Sequence, residues 1–503
     1  MAISSSFPLF GLLFLTTLMS SLVISHQQPL LDSAEQDSLF LVLYSINSAI
    51  PWRTLFPDDL CLSAPHGIVC EYFTEEQPPL TPNGSVSNQP PLETAHISEL
   101  SFGFVSDYTS NPPCSPNSTI NPLVFTSFKF LRKLFFYKCF TEMPVSVPDV
   151  SSSSFGANLE ELVFIENPAL VGSLSGIIGN FTNLRRLVLT GNGIYGNIPD
   201  GVGSLVNMEE FTVSRNQLSG GVPFSLAKLK KLRVLDLSQN YLDGYVPLSV
   251  GNLSPLLKLD LSHNRFSGKI PESLVSLQSL EFLDLSFNSF GNYGVPLFLG
   301  EMPRLKEVYL SGNLVGGHIP EIWEKLGGIS GIGFSDMGLV GNIPASMGVH
   351  LRNLCYLGLD NNKLEGTVPE ELGFLKCGYE INLENNNLSG KIPVTFTSKV
   401  AEKLKLKGNS GLCVDGGDFS GFGKFEGSLG KLKLCNKSDI SSPVLLQEGS
   451  LDSSSSSQTQ GKNVIMALVG DKPDTPLYYA PPLQPAYPVI PVIDAAVISP
   501  LAE

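Results

Sequence analysis

Positive charge is scarce in this chain. Lys and Arg number 32 against 47 Asp and Glu, a formal net charge of −15 over 503 residues. A surface that tracks phosphates needs clustered Lys and Arg, so nucleic acid is excluded as a partner. Histidine is equally sparse: the six (His26, His66, His96, His263, His318 and His350) are scattered. No H-E-x-x-H, G-x-S-x-G or phosphate-loop string occurs, and neither does the Gly-rich loop, H-R-D and D-F-G set of a kinase. The chain is therefore read as no enzyme and as holding no cofactor or metal. No C-x-x-C occurs among its eight cysteines, which removes zinc ribbons and thioredoxin-type sites. Past residue 440 the longest apolar run is VIMALV at 464–469, far short of the ~20 residues a bilayer span needs. No transmembrane span is read, and the Pro- and Asp-broken VIPVIDAAVISPLAE makes a poor lipid-anchor signal.

One apolar stretch does stand out, at residues 1–25, MAISSSFPLFGLLFLTTLMSSLVIS. Val23 and Ser25 suit cleavage before His26, so this stretch is predicted to be a signal peptide. The other reading, an N-terminal membrane anchor, would need a longer span. Secretion puts the cysteines in an oxidising compartment, where they pair. It also gives meaning to N-x-S/T sequons at Asn83, Asn117, Asn180, Asn252, Asn387 and Asn436, which are predicted glycosylation sites.

The body of the chain repeats itself every 24 or 25 residues. LRVLDLSQNYLDGYVPLSVGNLSP at 232–255 is one unit, and LLKLDLSHNRFSGKIPESLVSLQS follows it. Self-similarity at a fixed period marks a solenoid. Leu235 and Leu237 stand two apart, so they leave a short strand on the same side and enter the core. Val234, Asp236, Ser238 and Gln239 are expected to face solvent, and successive strands to pair in parallel and line one face. Leu242, Val246, Val250 and Leu253 complete the apolar lining.

Asn240 recurs as Asn167, Asn192, Asn216, Asn264, Asn288, Asn313, Asn362, Asn386 and Asn409. A buried turn needs hydrogen-bond partners, and an Asn amide both donates and accepts, so a stacked column of them can satisfy it. Met337 is the exception, and its unit ISGIGFSDMGLVGNIP should be less regular. Gly-x-apolar-Pro then recurs, as in GNIP at 196–199 and GKIP at 390–393. Pro suits the outer, convex turn and Gly the tight bend before it. A helical reading fails, since the apolar spacing is two and Pro recurs in nearly every unit.

This skeleton, L-x-x-L-x-L-x-x-N-x-L-x-G-x-I-P over about 159–412, resembles the plant-specific subclass of leucine-rich repeats. The resemblance implies an α/β fold: a right-handed solenoid with a concave parallel sheet and disulfide-capped ends. The expected organisation is a signal peptide at 1–25, an N-terminal cap at 26–150, repeats at 151–412, a C-terminal cap at 413–440 and a disordered Ser/Pro-rich tail at 441–503. In the first cap, AEQDSLFLVLYSINSAI has helical periodicity and QPPLTPNGSVSNQPP at 77–91 is a Pro-rich loop. There PWRTLFPDDLCLSAPHGIVC resembles the family's N-terminal cap, with His66 where a Trp is common. Cys61 and Cys70 are close enough to pair; Cys114 with Cys139 forms a second expected pair and Cys413 with Cys435 a third. Cys355 and Cys377 flank one coil and would either pair or sit reduced in the core.

DDLCLSAPHGIVCE, FKFLRKLFFYKCF and the first repeats are also similar to plant leucine-rich-repeat receptor-like proteins, from about 30 to 440. That resemblance implies a recognition protein without a kinase, at the plant cell surface or in the apoplast. It would bind a protein or peptide ligand, or a receptor-kinase ectodomain, in plant–microbe or developmental signalling. The alternative is a secreted inhibitor of a cell-wall-degrading enzyme, similar to polygalacturonase-inhibiting proteins, which are shorter and lack the long cap and tail.

Candidate binding residues follow from the exposed strand positions. Aromatic groups bury much area at little entropic cost. The concave face should present Phe282, Phe287, Tyr309 and Tyr356, with His263 beside Phe287. Gly331 and Gly333 should leave a bare patch between the two tyrosines. Arg185, Arg186, Arg215, Glu209 and Glu210 lie toward the N-terminal end. Asp236, Asp260 and Asp284 share one strand position, with carboxylates about 5 Å apart. They are read as the ordinary L-D-L-S of such repeats, against an acid–base or metal site.

Overall fold

The computed structural model describes residues 29–63, 65–75, 92–104, 111–147, 158–176, 181–377, 380–396, 403–414 and 432–435. The signal peptide at 1–25, the Pro-rich loop at 77–91, Asn83, Asn180, Asn436, most of the C-terminal cap at 413–440 and the tail at 441–503 lie outside them.

A 14-stranded sheet runs along the described chain. Its first two strands, β1 (Ile68–Glu75) and β2 (Leu92–Gly103), pair antiparallel. From β2 to β3 (Lys133–Tyr137) and on to Leu404–Lys405 every pairing is parallel, one strand per coil. The parallel array thus starts before residue 151. Inside the coils, Leu235, Leu237, Leu242 and Leu253 are fully buried, and one continuous core runs through the array.

The outward strand positions differ from expectation. Asp236 and Ser238 do not face open solvent; they are 8% and 7% exposed. Parallel neighbours stand only about 4.8 Å away, so the side chains of adjacent coils cover one another. Ser238 donates from its N–H and Oγ to Asp236 Oδ1 at 3.1 and 2.6 Å, and Lys258 closes over the same carboxylate.

The turn after each strand is held by the asparagine column. Asn264 Nδ2 donates to the carbonyls of Leu237, Leu261 and Ser262, and its Oδ1 accepts from the Leu242 N–H. Asn240, Asn288, Asn313 and Asn386 do the same. The residue just before the Asn is left-handed: Arg215, Gln239, His263, Phe287, Asn361 and Asn385 all have φ between 52° and 56°, and so does Asp336 before Met337. Such backbone costs a non-glycine residue about 1–2 kcal/mol and persists only where the surroundings over-determine it.

Met337 disturbs this pattern less than expected. Its strand, Gly331–Gly333, stays in register with both neighbours. Met337 is fully buried, and Asn362 Oδ1 accepts from both Met337 and Leu339 N–H groups. The irregularity is confined to the ladder and the flank.

Beyond most of these Asn residues the chain forms a second short strand, which the sequence reading did not contain. Seven of these make a parallel flank sheet from Val145–Ser146 to Ser289–Phe290. It stops at the unit with the one-residue insertion and resumes as the pair Val340–Asn342 and Lys363–Glu365, then as a three-stranded sheet of Ser389–Lys391, Gly411–Val414 and Lys433–Leu434. Gly220, Gly244 and Gly268 end these strands at φ 73° to 79°. The prolines then start short 3-10 turns, as Pro247 does for Leu248–Asn252.

At the N-terminal end, helix α1 (Ser33–Ile46) is capped by Asp32, which accepts from the Ala34 and Glu35 N–H groups. Glu35 is buried; one oxygen accepts from the Ile97 N–H and the other meets His96 Nδ1 at 2.9 Å. This polar pair pins α1 to β2. Disulfides join Cys61 to Cys70, Cys114 to Cys139, Cys355 to Cys377 and Cys413 to Cys435, with Cα–Cα separations of 5.6, 5.0, 4.8 and 5.0 Å. Cys355 and Cys377 therefore pair rather than sit reduced.

The ladder generates a direct test. Asn264→Ala strands three carbonyls and one N–H in the interior, a cost on the order of 3 kcal/mol. Chemical unfolding should show that loss, and the Leu242 amide should lose its hydrogen-exchange protection. An unchanged Leu242 protection factor would mean the column does not hold the turns.

Candidate functional site

The concave face is built from columns, because parallel register stacks equivalent positions of successive strands. The first outward column runs Glu99, Lys133, Glu161, Arg186, Glu210, Val234, Lys258, Phe282, Glu307, Gly331, Tyr356 and Glu380. Its N-terminal half alternates in sign. Lys133 lies 4.0 Å from Glu99 and 3.5 Å from Glu161, and Arg186 lies 3.5 Å from Glu161 and 2.7 Å from Glu210. Arg185 pairs with Glu160 and Glu209, and Arg215 with Glu166. The charged residues singled out at this end are thus engaged with one another.

Beside that ladder lies an apolar cluster the sequence reading missed. Phe135, Val163 and Val188 are buried on the outward side, packed with Tyr137 and Ile165. Its signal was available: KLFFY, ELVFI and RLVLT are apolar at consecutive positions instead of alternating.

Halfway along, the second outward column carries Asp236, Asp260 and Asp284. Lys258 Nζ sits 2.8 Å from Asp236 and 3.7 Å from Asp260. Each aspartate also accepts from the N–H and Oγ of the serine two residues on. Among the described residues, no His/Cys/Asp/Glu group has the arrangement of a metal site. Burial, together with repulsion from Asp236 and Asp284, pushes Asp260 up to about 7. Burial, opposed by the Ser286 hydrogen bonds, pushes Asp284 up to about 6.

The aromatic residues form two groups. Phe282, Tyr309 and Tyr356 make a row, with ring centroids 5.8 and then 6.2 Å apart. Lys258 Nζ adjoins it, 5.3 Å from the Phe282 ring. His263 and Phe287 are separate: both occupy the left-handed turn position and stack at 4.4 Å with 17° between planes. Phe287 keeps 38% of its surface exposed. Burial against it lowers the His263 pKa below the usual imidazole value.

The bare patch expected at Gly331 and Gly333 is filled. A methyl group at Gly331 would sit 2.7 Å from the Tyr309 hydroxyl, and one at Gly333 2.6 Å from its ring. Tyr309 therefore lies flat across the glycine strand, and its hydroxyl donates to Glu307 Oε2 at 2.9 Å. Glycine here serves the close approach of a neighbouring ring rather than an opening for a partner. Tyr356 leans in the same way over Gly358.

Asn117, Asn252 and Asn387 are exposed, and none belongs to a strand of the main sheet.

Two leucine-rich-repeat family models match, one at 149–242 and 247–290 and one at 353–375. The chain is 32% identical to Piriformospora indica-insensitive protein 2 of Arabidopsis thaliana over 172 residues, which is 34% of this chain and 36% of that protein. It is 32% identical to Protein TOO MANY MOUTHS of Arabidopsis thaliana over 152 residues, 30% of this chain and 26% of that one. The matches thus span about a third of these relatives' length. Among solved structures, the plant peptide hormone receptor RGFR1 in complex with RGF2 superposes with a TM-score of 0.52 at 27% identity, over 59% of this chain and 46% of that chain. PEPR1 with AtPEP1 gives 0.54 at 22% identity, over 76% and 52%, a likeness of fold alone.

Two measurements check the geometry. Asp260 and Asp284 titrate higher in the fold than unfolded, so the folded state holds their protons more tightly. Stability from these groups is greatest in acid and falls as pH rises from about 4 through 7. Asp260→Asn keeps the acceptor for Ser262 and removes the charge. Its unfolding free energy relative to the parent should rise between pH 5 and pH 7.5, by on the order of 1 kcal/mol; a pH-independent difference contradicts the assignment. Separately, Gly333→Ala should cost about 1–3 kcal/mol by displacing Tyr309, and markedly less in a Tyr309→Ala background. Equal costs would mean that the ring does not lie on the glycine.

Proposed function

The chain is a leucine-rich-repeat protein of the plant receptor-like class, and we propose that it is a recognition module whose concave aromatic row docks a protein or peptide partner. One observation carries this reading. Phe282, Tyr309 and Tyr356 form a contiguous, half-exposed row on the sheet face that bears none of the described sequons. Rings already pinned flat lose little freedom on binding, so their buried area converts efficiently into affinity.

The partner class follows from the relatives. RGFR1 is a plant peptide hormone receptor solved in complex with RGF2, and one curated relative is named for insensitivity to Piriformospora indica. We place this chain at the plant cell surface or in the apoplast, in plant–microbe or developmental signalling. It recognises there a peptide or the ectodomain of a receptor kinase, which supplies the catalytic output. Beside the row, Lys258 engages Asp236 and Asp260 in ion pairs.

Affinity capture from plant membranes, read by mass spectrometry, tests the proposal. The secreted chain should recover a receptor kinase or a secreted peptide. Tyr309→Ala and Phe282→Ala should each weaken that capture by about tenfold or more, as central aromatic anchors do. A folding check by thermal melting accompanies each variant. Recovery of a pectin-cleaving hydrolase instead, with inhibition of its activity, would replace this reading with that of a wall-enzyme inhibitor. Capture insensitive to both variants would move the site off the row.

A further inference from the structure

Charge is distributed unevenly along the concave face. In the N-terminal half, Glu99, Glu161, Glu209 and Glu210 each face a Lys or Arg of an adjacent coil. Farther on, Lys258 is held by Asp236 and Asp260, Lys306 by Glu281, and Lys405 by Glu380. Between Lys258 and Lys405, Asp284, Glu307, Asp336 and Asp360 have no Lys or Arg ion pair among the described residues. Asp360 is 5% exposed, and its oxygens meet only neutral donors, Ser335 Oγ at 2.5 Å and Asn361 Nδ2 at 2.9 Å. A buried carboxylate without a counter-charge is costly. Asp336, in the turn of the preceding coil, has its pKa raised by burial and by Asp360.

These carboxylates surround the aromatic row. Asp284 is the register partner of Tyr309, and Glu307 holds the Tyr309 hydroxyl. Asp360 lies two residues beyond the Tyr356–Gly358 strand. The face already contains one complete example of the arrangement: the Lys258 ammonium lies against the Phe282 ring and between two aspartates. One coil farther on, at Tyr309, the ring and the acids recur without the lysine.

We propose that this C-terminal half of the concave face takes a cationic peptide segment, laying Lys or Arg side chains against Tyr309 and Tyr356 within reach of Asp284, Glu307 and Asp360. The proposal rests on the reading of the concave face as a docking surface. A cation over the face of a ring is drawn by its quadrupole, and a partly desolvated carboxylate adds a charge-assisted hydrogen bond. Arginine satisfies both at once, with a planar fork that stacks and donates.

The test uses the full secreted chain and two labelled flexible Gly/Ser peptides, one carrying several arginines and the other glutamines at the same positions. Fluorescence anisotropy at low salt should show the arginine peptide bound about tenfold tighter or more, with the preference falling as salt rises. Glu307→Gln combined with Asp360→Asn should abolish most of that preference; both changes keep hydrogen-bond acceptors, and Glu307→Gln alone provides a variant outside the core. Asp200→Asn with Glu370→Gln removes the same charge from the convex turns and should leave the preference intact. Equal loss in both double variants would show attraction to net charge alone and overturn the site. Equal binding of the two peptides would overturn it as well. Partner capture separates this inference from the one beneath it. Capture lost in Tyr309→Ala but kept in the charge variant leaves the docking face standing and the cationic ligand rejected. Capture untouched by either rejects both.

Discussion

Everything in this molecule hangs on how a buried turn satisfies its backbone. After each strand the chain must change direction inside the protein, where water cannot pair with the peptide groups. One Asn carboxamide per coil resolves this, donating to carbonyls of its own and the preceding coil and accepting an N–H from the preceding one. The bond geometry also fixes the residue before it in the left-handed region. Turn, register and strain are therefore one arrangement. Repeating it makes each coil the template for the next.

Stacking of this kind frees the outward side chains. The core positions and the Asn are committed to the coil, whereas the three outward positions per strand are read as columns. In the N-terminal half those columns are spent on internal pairing, a charge ladder beside a small apolar cluster. In the C-terminal half the columns carry rings, glycines and carboxylates with few cations. The two halves share one backbone and differ only in what the columns present. Location of function along a solenoid is thus a matter of column content rather than of fold.

Much of this was legible in the sequence, because period, apolar spacing and the Asn column are local signals. Leu235 and Leu237 point inward, and the aromatic row lies on the outward face. What failed depended on neighbours one coil away. Asp236 alternates correctly with the leucines yet is buried, because Lys258 and Ser238 close over it. Gly331 and Gly333 look like a gap in a one-dimensional reading, but the Tyr309 ring fills the space from the adjacent strand. His263 and Phe287 belong to the turn, a distinction that depends on φ and not on residue type. Lys258 and Glu307, central to the site's electrostatics, carried no motif. Only register makes them neighbours of Phe282 and Tyr309.

The coils that carry the aromatic row are also those where the repeat departs most from its own rules. The flank sheet breaks after Phe290, Met337 replaces the ladder Asn, and the Gly331–Gly333 strand has no side chain at its two outward positions. Glycine in a strand interior weakens it by about 0.5–1 kcal/mol relative to Ala. Each departure has a counterpart in the face above. The glycines let Tyr309 lie flat, and the strand keeps its register because its neighbours template it on both sides. The Cys355–Cys377 bridge ties the edges of the coil that follows, immediately beside Tyr356. A region that surrenders local stability, is stapled covalently and exposes pinned rings among unpaired carboxylates follows the pattern of a site whose surface requirements override its packing requirements. The same violations scattered along the array would signify only drift. Concentrated in the coils beneath the row, they and the chemistry of the face point to one place.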